Sequence, residues 1–345
     1  MDLTSLIAPA DKNERMRILA ELRRQIKAIE EEGSPTQSPQ LSPHALHVDT
    51  SPQPPEQHPE PWSDPQGVQL QPALSPQPPQ QDTESGGNPQ VVQLEPTLIA
   101  EPFEEFPDVV YHSILMSLVN PNVDEADTDW IFNKKELISK TSQRLVHSQQ
   151  FEDWIVSPAS RELFVQGDSK QGDAHYVSGL SHFCATLVQL LKNRDTYLPL
   201  VFFCGRHVED DDLPGPRAMI ESLLDQCSRK RDFDEALLYR EVDFEHAERG
   251  DIWQQCALFE RKVRQLPQGL TLVCIIDGIV HFETPGYEAD VLEILKCILG
   301  IARDKSLATV IKVLVTSPVA TEKAHLEFED DDSMNLSAAE LLQTK

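Results

Sequence analysis

Residues 167–174 read Gly167-Asp168-Ser169-Lys170-Gln171-Gly172-Asp173-Ala174. Two glycines at this separation after an apolar run have the spacing of the phosphate-cradling loop G-x-x-x-x-G-K-[ST], which joins a strand to a helix. In such a loop the lysine reaches the β- and γ-phosphates and the hydroxyl ligates Mg²⁺. Here Asp173 stands at the lysine position and Ala174 at the hydroxyl position. Ala174 has no oxygen for a metal, and Asp173 sets an anion against a polyphosphate. At an effective dielectric of ~20, a unit charge at ~4 Å is worth ~4 kcal/mol, so reversing its sign changes the interaction by several kcal/mol. Each factor of ten in affinity corresponds to about 1.4 kcal/mol, enough to take micromolar nucleotide binding out of sight. No glycine in the chain is followed by lysine, so no other frame restores the pattern, and Lys170 falls at a variable loop position.

A second signature is Leu272-Val273-Cys274-Ile275-Ile276-Asp277-Gly278, an apolar run ending in the carboxylate that would coordinate Mg²⁺. Taken alone, Asp277 is a turn residue at a strand end. Beside the glycine pair, it completes a relic nucleotide site of Gly167, Gly172, Asp173, Ala174 and Asp277. Hydrolysis also needs a group that orients water. Val280 and His281 stand two and three residues beyond Gly278, and neither is a carboxylate. Glu283 would serve only with a rearranged loop. No catalytic residue, metal ligand set or cofactor is therefore expected; a nucleotide-competent site would take ATP and Mg²⁺.

Such a site needs a sheet to hold it. RELFVQG (161–167), LPLVFFCG (198–205), LTLVCIID (270–277) and VIKVLVTS (310–317) read as strands apolar throughout, as buried parallel strands are. Between them, helical periodicity covers Ser178–Asn193, Pro216–Arg231, Asp251–Leu266 and Ala289–Arg303. Strand–helix alternation predicts an α/β parallel sheet flanked by helices on both faces. The domain is expected over 108–328, with an acidic C-terminal tail at 329–345.

Upstream, residues 1–33 hold an amphipathic helix over 11–32. Asp11 is its N-cap, Glu14 follows at capping-box spacing, and Gly33 stops it. Ile18, Leu19, Leu22, Ile26 and Ile29 form one stripe, which needs a partner. Another copy, a different protein or the chain's own globular part would each serve. Residues 34–107 carry seventeen of the twenty-six prolines, with abundant Gln and Ser. This composition predicts a disordered, polyproline-biased acidic linker. Its SPQPP stretches could dock SH3 or WW grooves, although a plain tether explains them equally well.

The formal charge of −27 is uneven: residues 34–133 contain fifteen Asp/Glu and no Lys or Arg. A chain so acidic, without a basic cluster, repels phosphate backbones and anionic lipid surfaces, which argues against nucleic-acid and membrane partners. No apolar run reaches the ~18–20 residues of a bilayer span, and the N-terminus lacks the pattern of a signal peptide. The six cysteines are widely spaced with no C-x-x-C pair, so reduced, mostly buried thiols and an intracellular address, cytoplasmic or nuclear, are expected.

Other constellations carry less. Glu209–Asp212 and Glu329–Asp332 lack EF-hand spacing and read as solvated acidic loops. Ser181-His182 lacks the second glycine of a nucleophile elbow and falls inside a helix. His175 and His207 read as ordinary surface histidines.

Four pieces, in order, resemble the P-loop core of fungal STAND/NACHT-type proteins, the group labelled nephrocystin-3-like N-terminal domain. Ala126-Asp127-Thr128-Asp129-Trp130-Ile131-Phe132 is similar to the lead-in A-x-x-T-x-W-I-F, with Thr shifted by one. Phe151-Glu152-Asp153-Trp154-Ile155 is similar to F-x-x-W-L, Asp277-Gly278 to the start of D-G-L-D-E, and Val315-Thr316-Ser317-Pro318 to T-S-R without its Arg. The resemblance spans roughly 124–320. It implies a P-loop NTPase-like fold with the Gly167 strand central and the Thr316 strand between it and the Asp277 strand. Active members are expected to bind ATP and switch assemblies, an activity that the residues at Asp173, Ala174, Val280, His281 and Pro318 do not support. The reading is a catalytically degenerate P-loop domain acting as an intracellular scaffold, with a protein partner meeting the N-terminal helix or linker and with homo-oligomers possible. An ATP/GTP switch with a non-standard loop, using Lys170 or Arg206 for charge, and a transcriptional co-regulator are the alternatives.

Overall fold

A computed structural model describes residues 10–33, 123–134, 140–167, 177–208, 214–234, 237–238 and 242–336. The linker expectation over 34–107 lies outside these residues, as do Glu209–Asp212.

Helices α1 (Lys12–Gly33), α2 (Val123–Phe132), α3 (Lys140–His147) and α4 (Gln149–Val156) precede the first strand. Then come β1 (Arg161–Gln166), α5 (Gly179–Leu191), β2 (Tyr197–Phe203) and α6 (Pro216–Lys230). Next are α7 (Phe244–Glu248), α8 (Ile252–Arg264), β3 (Thr271–Asp277), α9 (Glu288–Arg303), β4 (Val310–Ser317) and β5 (Ser333–Asn335). The sheet order is β2-β3-β4-β1-β5 with every pair parallel. The β4 strand therefore separates β1 from β3, as the resemblance implies. The fifth strand was not foreseen: Ser333–Asn335, read as part of an acidic tail, pairs with β1 from Phe164↔Ser333 to Gln166↔Asn335.

The apolar strands are explained by two cores. With a side-chain period of two, alternate residues of one strand face opposite sides. Leu272, Cys274 and Ile276 of β3 enter a core with α6, α8 and α9, while Val273 and Ile275 enter another with α1, α3, α4 and α5. The second core includes the stripe of α1: Ile18, Leu19, Leu22 and Ile26 are buried there. The partner of that stripe is the chain's own domain. Asp11 accepts the Glu14 N–H at 2.7 Å to start the helix, and Arg23 reaches Val146 O at 3.0 Å and Glu152 Oε2 at 2.9 Å.

Trp154 clips α4 to the sheet. Its indole N–H donates to Val313 O at 3.0 Å, and Lys312 Nζ donates to Trp154 O at 2.7 Å. Burial pushes the Lys312 ammonium down to about 7, because a charge removed from water is disfavoured.

Candidate functional site

In a doubly covered parallel sheet the carboxyl ends of the strands face the ligand side. At that edge, Gly167 N–H donates to Ser317 O at 2.7 Å. A Cβ on Gly167 would lie 2.8 Å from the carbonyl oxygen of Pro318. The close approach of β1 to the end of β4 is thus sufficient reason for glycine here. Gly172, Asp173 and Ala174 lie outside the described residues, as does His175.

Asp277 ends β3 and is only 2% exposed. Its Oδ1 accepts the Thr316 hydroxyl at 2.5 Å, with Cys184 Sγ at 4.0 Å. Burial pushes its carboxyl up to about 6, against the Ser181 and Thr316 hydroxyls, which favour the ionised form. Burial, together with the Asp277 charge, raises the Cys184 and Cys204 thiols in turn. Gly278 follows at φ 74, a left-handed turn suited to glycine, and its N–H donates to Thr316 O at 2.9 Å. Gly167 and Asp277 are thereby brought to either side of the same β4 end.

Helix α5 begins at Gly179, later than an apolar loop-to-helix junction at Ala174 would place it. Ser178 is its N-cap: its Oγ accepts the N–H of Leu180 at 3.1 Å and of Ser181 at 3.4 Å, and its own N–H donates to Ser181 Oγ at 2.9 Å. Two of the amides that a phosphate would seek at a helix start, those of Leu180 and Ser181, are bonded within the chain. Leu180, in the first turn, is buried in the α1-side core.

Other residues weighed in the sequence are committed elsewhere. Both oxygens of Glu283 receive backbone N–H groups, from Glu322 at 2.7 Å, Lys323 at 3.0 Å and Ala324 at 2.6 Å. This carboxylate caps the turn after β4. His281 lies in the turn Ile279–Phe282, with its basicity lowered by burial. His207, expected at the surface, is buried: its Nε2 lies 2.9 Å from Asp127 Oδ2 and its ring stacks on Phe202. Arg206 donates to Asp127 Oδ1 at 3.1 Å and lies 4.5 Å over the Trp130 ring. The lead-in segment thus holds the end of β2. Among the described residues, no group of three or more His, Cys, Asp or Glu is arranged to hold a metal.

Residues 140–317, a little over half of the chain, match the family model described as Nephrocystin 3, N-terminal. The chain belongs to that family. The pieces at 151–155 and 277–278 fall within the matched residues, the piece at 315–318 runs one residue past their end, and the lead-in at 126–132 falls just before them. No curated protein matches the chain. Among the described helices, none is long and apolar enough to cross a membrane. The nephrocystin-3 N-terminal domain and its P-loop-like α/β sheet accord with a scaffold or signalling superfamily.

Sequence reasoning missed Ser181 and the role of Thr316. The signal was Ser178-Gly179-Leu180-Ser181, a capping serine followed by Gly-x-Ser at the true helix start. Gly and Ser keep the spacing of G-K-[ST], with Leu180 between them.

Proposed function

We propose that this chain is a degenerate member of its family, a P-loop-like domain that serves as a binding or regulatory scaffold without gripping nucleotide. The observation that carries the reading is the first turn of α5. A P-loop places its lysine and its metal-ligating hydroxyl in the turn that follows the loop. Here that turn offers a buried Leu180 and a buried Ser181 whose Oγ accepts the Ser178 N–H at 2.9 Å. Leu180 offers no charge to a phosphate, and the described turn Gly179–His182 holds no lysine or arginine, so no step is routed through a nucleotide.

The switch alternative needs a cation, and Arg206 is held by Asp127 and Trp130. With the apolar stripe of α1 turned inward, a protein partner would meet its polar face or the Pro/Gln-rich linker. Calorimetric titration of the full chain with Mg·ATP and with ADP tests the reading: no saturable binding is expected, and micromolar binding would refute it.

A further inference from the structure

Helices α8 and α9 pack against each other on the face of the sheet opposite α1, and each brings a cysteine to the contact. Cys297 of α9 donates its thiol to the backbone oxygen of Cys256 on α8 at 3.6 Å, which brings the two cysteines together across the helix contact. Exposure separates Cys297 from the rest. Cys184, Cys204, Cys227, Cys256 and Cys274 are buried, and Cys297 alone is partly exposed. Neither thiol belongs to the Asp277 site.

We propose that Cys256 and Cys297 form a reversible intramolecular disulfide when the protein meets a peroxide, making this helix pair a redox-sensitive modification site. The accessible Cys297 thiolate attacks one peroxide oxygen and the O–O bond breaks. This leaves a sulfenic acid on Cys297 and, after protonation, one molecule of water or alcohol. Cys256 sulfur then attacks the Cys297 sulfur, the S–O bond breaks, the Cys256 proton goes to the departing hydroxide, and a second water leaves. Two thiols lose two electrons in all, and the peroxide gains them. Cys297 is the thiol that solvent reaches, which gives it the first attack, and Cys256, buried and held neutral by the neighbouring thiol and by burial, takes the resolving role. Glu293 lies near Cys256 and also disfavours its thiolate. A bond here closes the chain between α8 and α9, spanning β3, and restricts the unfolded chain more than the folded one.

The test is hydrogen peroxide treatment of the full chain, followed by intact mass, thiol counting and peptide mapping without reductant. The expected result is loss of two of the six thiols, a Cys256–Cys297 peptide pair, a raised melting temperature and reversal by dithiothreitol. C256S should instead hold Cys297 as a sulfenic acid that a dimedone probe labels, and C297S should resist oxidation at matched peroxide. Over-oxidised Cys297 without a cross-link in the unmodified chain, a bond between two copies, a bond to Cys274, or no reaction would each overturn the proposal.

Discussion

Two buried ionisable groups lie on the α1 side of the sheet, and they do different work. Lys312 donates to the carbonyl of Trp154, whose indole donates back to the next residue of β4. That exchange anchors a helix. Asp277 accepts the Thr316 hydroxyl at the carboxyl edge, with Ser181 also favouring its ionised form, burial pushing its carboxyl up to about 6 and, among the described residues, no lysine or arginine hydrogen-bonded to it. One group holds the scaffold together; the other is a carboxylate buried at the strand ends at a cost to the fold. The difference teaches that a buried ionisable group can support the packing or oppose it, according to the partners the chain supplies.

The sharpest way to break this contrast is at Trp154. Trp154→Ala removes a buried ring and leaves Val313 O without its donor, so a loss of about 3–5 kcal/mol is expected by chemical denaturation. A loss below about 1 kcal/mol would deny the clip its scaffold role.

Asp277→Asn should act in the opposite direction. The folded carboxyl titrates near 6 and the ordinary one near 3.8. Below about pH 4 both states are protonated and the penalty is absent. As pH rises from 4 to 6 the unfolded chain ionises first, so this group lowers stability, and the full cost stands above pH 6. Asparagine can still accept the Thr316 hydroxyl and removes that cost. A stabilisation on the order of 3 kcal/mol is expected at pH 7.5, shrinking toward zero at pH 4. Destabilisation at pH 7.5 would show that the charge is compensated.

Gly167→Ala should cost about 1–3 kcal/mol, because its Cβ would meet the Pro318 carbonyl, a backbone group that gives way poorly. A neutral result would leave Gly167 without its packing explanation.

The strands were legible because burial on both faces leaves one continuous apolar run, as in Thr271–Asp277 and Val310–Ser317. The N-terminal helix was legible from its stripe and its Asp11 cap, but the identity of the surface covering the stripe was not, since α3 and α4 come more than a hundred residues later. β5 escaped because Ser-Met-Asn has no apolar pattern and is held by pairing to β1. His207 looked like a surface residue because its partner, Asp127, lies eighty residues away. Ser181 looked like an ordinary helical serine for the same reason: its meaning comes from Asp277, which only the crossing of the chain brings beside it. Local pattern can supply a glycine spacing; it cannot say which turn of which helix ends up over the strand.

The central claim is that this family member has the fold of a nucleotide site without its grip. Isothermal titration of the full chain with Mg·ATP at pH 7.5, run alongside Asp277→Asn and Gly172→Arg, tests it most directly. The account predicts no saturable heat at millimolar nucleotide in any of the three. Micromolar binding in the unmodified chain, lost in both variants, would contradict it.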